Sequence, residues 1–193
     1  MGRPFGIPVY VSPTWFIVAA FITFTFQGPV SSRLPDLSTP MTYVVSFVFA
    51  VLLYVSVLLH ELAHCVVARM YGLPVRRITL YLLGGVSEIE REPETPGREF
   101  MVAFAGPLLS LGLAVIGFLA YRVIDPDTVA GVLILQLWLA NLIVGVFNLL
   151  PGLPLDGGRM LRAGVWKLTK NSGSGTATAA WVGRALAVLL VAV

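Results

Sequence analysis

Residues 41–64 read MTYVVSFVFAVLLYVSVLLHELAH, an uncharged apolar run from Met41 to Leu59 that closes on His60-Glu61-Leu62-Ala63-His64. The run matches the roughly 20 apolar residues that a helix needs to cross a hydrocarbon core. These two histidines are the only ones in the chain. On a helix, positions i and i+4 share one face, so both imidazoles can hold one metal ion, with Glu61 beside them to act on a water molecule. Arg69, just beyond His64, marks the membrane interface, which places the motif about 10 Å inside the apolar slab at about 1.5 Å of rise per residue. Ionisable groups at that depth are costly and mark function by default.

The rest of the chain repeats the membrane signature. Hydrophobic residues make up 57% and charged residues 12% of the 193, about half the charged share of a soluble domain. No Asp, Glu, Lys or Arg occurs over 4–32, 37–59, 100–121 or 128–155. These stretches predict an all-α polytopic membrane protein, a helical bundle with helices over Ser12–Gln27, Thr42–Tyr71, Pro96–Arg122 and Thr128–Leu149. A further apolar run begins near Ala185, so the expectation is one transmembrane domain over 1–193 that ends within a fifth span. The first stretch is longer than a signal-peptide core and no A-x-A site follows it, so it reads as a retained helix.

Charge placement predicts orientation. With the N-terminus in the cytosol, all but two of the 13 Lys and Arg residues fall on the cytosolic side, the exceptions being Arg33 and Arg122. The basic residues flank spans and form no single patch, so a lipid bilayer is the expected partner and nucleic acid is not. Cys65 is the only cysteine, which excludes an intrachain disulfide.

Between the second and third helices the pattern changes. Arg77–Leu83 is β-branched and aromatic, and Val86–Glu90 alternates, which predicts two short strands around a turn at Gly84-Gly85. Glu88, Glu90, Glu92 and Glu94 read as a solvated rim. In the third helix, Gly106-Pro107 predicts a kink, and Ala103, Ala105, Gly106 and Ser110 predict close helix packing. After the fourth helix, 148–159 (NLLPGLPLDGGR) breaks the chain, 159–170 reads as a short amphipathic helix, and 171–175 as a flexible joint.

Catalytic zinc takes three protein ligands and keeps one position open. Asp156 is the only carboxylate after Asp127 and lies at the level of the motif, which makes it the candidate third ligand. The glycines after it would let the backbone pass close to a metal or substrate. Asn148 is a candidate to hold an oxyanion, while Asn141 and Gln136 suit interhelical hydrogen bonds. Water would reach the site through the broken end of the fourth helix.

HELAH at 60–64 and NLLPGLPLDGGR at 148–159 together resemble the site-2 protease family of intramembrane zinc metalloproteases. The Gly84-Gly85 segment is similar to that family's re-entrant β-hairpin, Phe104-Ala105-Gly106-Pro107 to a motif of the next helix, and Gly6–Ser12 to its N-terminal strand. Ser12 departs from the histidine that many relatives carry there. The resemblance implies one Zn2+ held by His60, His64 and Asp156, Glu61 as general base, and Asn148 as a substrate or oxyanion contact. It implies membrane-anchored protein substrates, often regulators, cut in or near their transmembrane segment. A substrate helix hides its peptide bonds in i to i−4 hydrogen bonds and must unwind, so an edge strand of the hairpin could receive it by strand addition. The rival readings are a metal-ion transporter and a non-proteolytic metal-binding membrane protein. A transporter would spread polar ligands across the midplane and often show a repeated half; here the ionisable groups cluster at one depth.

Overall fold

A computed structural model describes residues 2–81 and 84–192. A short 3-10 turn at Pro4–Gly6 leads into β1 (Val9–Val11) and α1 (Thr14–Arg33). The long α2 (Thr39–Met70) follows, then β2 (Val75–Tyr81), β3 (Gly84–Ile89), α3 (Pro96–Tyr121), α4 (Val129–Asn148), α5 (Asp156–Thr169) and α6 (Ser172–Ala192). Helices α1 to α4 are long and apolar enough to cross a membrane. Each of them covers one of the charge-free stretches, because in hydrocarbon only a helix satisfies its own backbone donors and acceptors.

α3 is the central helix of the site, with α2, α4 and α5 packed around it. It runs unbroken through Pro107, and the buried Ala103, Gly106 and Ser110 supply the close packing that small residues permit. Polar side chains tie the spans together. Gln27 Nε2 donates to Thr42 Oγ1 between α1 and α2 (3.0 Å), and Asn141 Nδ2 donates to Ser56 Oγ between α4 and α2 (3.2 Å). Asn141 thus makes its expected interhelical bond. Among the described residues the buried Gln136 side-chain oxygen has no hydrogen-bond partner, contrary to expectation.

The small sheet differs from the predicted hairpin in two ways. It has three strands in the order β1-β2-β3, with β1 parallel to β2 and β3 antiparallel. Gly84 and Gly85 are not its turn: they pair with Tyr81 and Leu80 and open β3. The residues between the strands, 82–83, which include the predicted end of the first strand, lie outside the described residues. Ile78 and Leu80 of β2, with Ile7 and Val9, bury against Leu62, Cys65 and Tyr54 of α2. That apolar contact lays the sheet along the flank of α2 that carries the motif.

Two boundaries moved for reasons of capping. α5 begins at Asp156, ahead of the predicted 159, since an acidic residue suits a first helical turn. The stretch 171–175 is not a joint but the start of α6. Asn171 Oδ1 accepts from the backbone N–H groups of Gly173 (2.8 Å) and Ser174 (3.3 Å), as a helix N-cap does.

Candidate metal centre

His60 and His64 lie one turn apart on α2, 5% and 4% exposed. Their Nε2 atoms are 3.2 Å apart. Asp156, at the start of α5, places Oδ2 3.1 Å from His60 Nε2 and 3.3 Å from His64 Nε2. The convergence expected from sequence is therefore present: three ligand atoms from two distant segments form one triangle.

The chemistry of this donor set fits zinc. With zinc bonds of about 2.0–2.1 Å, a tetrahedral centre separates its ligands by about 3.3 Å, close to the observed edges. His64 Nδ1 donates to the Val102 carbonyl (2.7 Å), an acceptor only, so a neutral ring carries its lone pair on Nε2. His60 Nδ1 lies 2.9 Å from Ser110 Oγ, a hydroxyl that accepts when Nδ1 carries the proton and Nε2 the lone pair. Two lone pairs and a carboxylate aimed at one point repel one another unless a cation sits between them.

Space for this arrangement comes from Gly106 of α3. A Cβ there would stand 2.3 Å from His64 Nε2 and 2.5 Å from His60 Nε2, so any side chain would fill the place where the ligand atoms meet. The glycines after Asp156 act differently from the expectation. A Cβ on Gly157 would meet the Leu149 carbonyl at 2.3 Å, and one on Gly158 the backbone of Gly152 and Leu153 at 2.3 Å. Their close approach is to the chain's own 149–153 loop, and it seats α5 so that Asp156 reaches the histidines.

α5 is also held from the other side. Glu99 of α3, 1% exposed, accepts from Arg159 Nε (3.1 Å) and lies 3.9 Å from Arg162 Nη1. Arg162 pairs in turn with Glu92, lowering the Glu92 pKa by hydrogen bonding. Other members of the acidic rim pair at the surface, Glu88 with Arg77 (2.7 Å) and Glu94 with Arg98 (3.1 Å).

Glu61 points to the sheet. Its Oε2 accepts from Ser87 Oγ at 2.6 Å. A Cβ on Gly85 would lie 2.4 Å from Glu61 Cγ, so β3 runs directly against this side chain. Ser87 also lines a polar cavity of about 250 Å³ with Arg91, Glu92, Glu99, Arg159 and Arg162. Ser87, the partner of Glu61, thus belongs to the wall of that cavity. Asn148 donates Nδ2 to the Val144 carbonyl one turn back (3.0 Å). Among the described residues no hydrogen bond joins it to Glu61 or to the ligand triangle.

Sequence reasoning missed Ser87, Glu99 and the carbonyl of Val102, and took Gly85 for a turn residue. Gly106 and Ser110, four apart on α3, carried a readable signal: they share the face that meets the imidazoles.

Known proteins resemble this chain in sequence and fold. The model of peptidase family M50 matches residues 48–133 and 124–192. The Synechocystis protein sll0528, named provisionally as a zinc metalloprotease, is 39% identical over 197 residues, covering 100% of this chain and 51% of that protein. Rip3 of Mycobacterium tuberculosis, named in the same provisional way, is 41% identical over 199 residues, covering 100% and 50%. The chain thus spans about half the length of these curated relatives. The solved site-2 protease from Methanocaldococcus jannaschii is 30% identical and superposes with a TM-score of 0.68, covering 98% of this chain and 81% of that one. With these likenesses and four membrane-length apolar helices, the chain is a multi-pass membrane protein that belongs to peptidase family M50, the site-2 proteases.

Proposed function

We propose that this chain carries a zinc-dependent endopeptidase site that hydrolyses peptide bonds in or near the transmembrane segments of membrane-anchored proteins, regulators among them. The observation that carries the reading is the triangle of His60 Nε2, His64 Nε2 and Asp156 Oδ2, with edges of 3.1–3.3 Å, whose two imidazoles flank Glu61 on one turn of α2. His60, His64 and Asp156 would hold one Zn2+. Its chemistry when bound is Lewis acidity, toward the scissile carbonyl and toward water, whose pKa falls to about 7 at such centres.

Glu61 then takes the proton of the attacking water and passes it to the leaving amine. The polar cavity at Ser87, Glu99 and Arg159 supports a water supply next to that carboxylate. Among the described residues β3 is an edge of the sheet, which supports strand addition by an unwound substrate. Asn148 is assigned a substrate or oxyanion contact by the family resemblance. The distribution of Lys and Arg supports a cytosolic N-terminus and a site that opens to the cytosol.

Glu61→Gln is the direct test. The variant should keep its zinc and lose cleavage of a membrane-anchored test protein by about 100-fold or more, the low end of what a general base contributes. Equal cleavage by parent and variant would remove Glu61 from the reaction. Zinc-dependent ion flux in vesicles without any cleavage would favour a transporter.

A further inference from the structure

We infer that Ser87 is a positioning residue for Glu61, holding one carboxylate oxygen so that the other is presented to water. The inference rests on the proteolytic reading and deepens it. A carboxylate only accepts, so the Ser87 hydroxyl is the donor. Its 2.6 Å bond to Oε2 falls in the short, charge-assisted range for O–H···O−. The same hydroxyl stands 3.3 Å from the Glu61 carbonyl, and with one proton to give it serves the nearer carboxylate. Among the described residues no other side chain donates to the Glu61 carboxylate.

A second, independent contact comes from the same strand. Residues two apart on a strand share a face, and Gly85 lies two before Ser87. The missing side chain at Gly85 admits the Glu61 stem, since a Cβ would stand 2.4 Å from Cγ. β3 therefore grips this side chain twice, at its stem and at its head. The strand is itself held in place, with Ser87 paired to the fully buried Ile78 of β2. Glu61 without this grip would be a half-buried side chain free to change rotamer, and alignment of a base is what a rate depends on.

The test uses the full chain in lipid and compares Ser87→Ala with Ser87→Thr, which keeps the hydroxyl. Ser87→Ala should lower kcat about tenfold, the scale of outer partners that orient catalytic groups, with KM and zinc content within about twofold of the parent. Ser87→Thr should restore kcat to within about twofold. A parent-like kcat in Ser87→Ala would overturn the inference, as would an equal loss in both variants. Infrared spectroscopy without substrate gives a readout independent of proteolysis. The carboxylate band that Glu61→Gln removes should shift in Ser87→Ala and stay in place in Ser87→Thr. If the parent cleaves nothing, the proteolytic reading fails on its own, and the band still decides the Ser87 contact: an unchanged band in Ser87→Ala refutes it.

Discussion

The two flanks of one helical turn in α2 are built differently. On the flank that carries His60 and His64, every polar atom is buried and fixed: both Nδ1 atoms have partners on α3, and both Nε2 atoms face Asp156. On the flank that carries Glu61, the partner is a strand, the side chain is only half-buried, and Ser87, which bonds it, lines a polar cavity. The difference suits the two chemical duties proposed for these residues. A metal site needs ligands whose geometry does not vary, so it is set between packed helices. A base must meet water and substrate, so it is set beside a sheet edge that leaves one side open.

The sharpest way to break this comparison is to intrude on the rigid flank. Gly106→Ala places a Cβ within 2.6 Å of three imidazole atoms, and buried helices cannot yield to it without moving a ligand. Zinc affinity, measured by competition with a chelator, should fall by about 100-fold or more, the upper end for changes next to ligands. Gly112→Ala on the same helix meets nothing within 4 Å and should leave affinity unchanged.

A smaller loss is expected from Glu99→Gln. It leaves Arg159 without its anionic partner and loosens α5, which presents Asp156. Zinc affinity should drop about tenfold, and chemical denaturation should show lower stability, because the partly buried Arg159 loses its charge partner. Loss of stability with full zinc affinity would separate α5 seating from metal binding.

The open flank should tolerate more. Gly85→Ala meets a flexible side chain, the stem of Glu61, which can yield. Zinc content should stay within about twofold of the parent while cleavage falls about tenfold, as expected when a base is displaced but its protonation chemistry survives. Loss of zinc in this variant would mean that the two flanks are one mechanical unit.

The rigid flank was also the more legible one in the sequence. His60, His64 and Asp156 announce themselves because metal ligation uses few residue types, and a helix imposes a fixed spacing on the pair. The spans were equally readable from their lack of charge, with ends misplaced by a few residues. The other flank was not legible in this way. Ser87 meets Glu61 across 26 positions and Arg159 meets Glu99 across 60, and neither pairing follows any local period. The glycine pair 84–85 carries a turn signature, yet both residues lie in the strand, and a Cβ at Gly85 would occupy the space that Glu61 fills. Close approach and turn propensity select the same residue, and only packing tells them apart.

X-ray absorption at the zinc edge on the purified chain tests the central claim most directly. The account predicts one zinc per chain, a first shell of nitrogen and oxygen at about 2.0–2.1 Å, and the outer-shell scattering of two imidazoles. A spectrum with no imidazole scattering, or a chain that binds no zinc in stoichiometric amount, would contradict it.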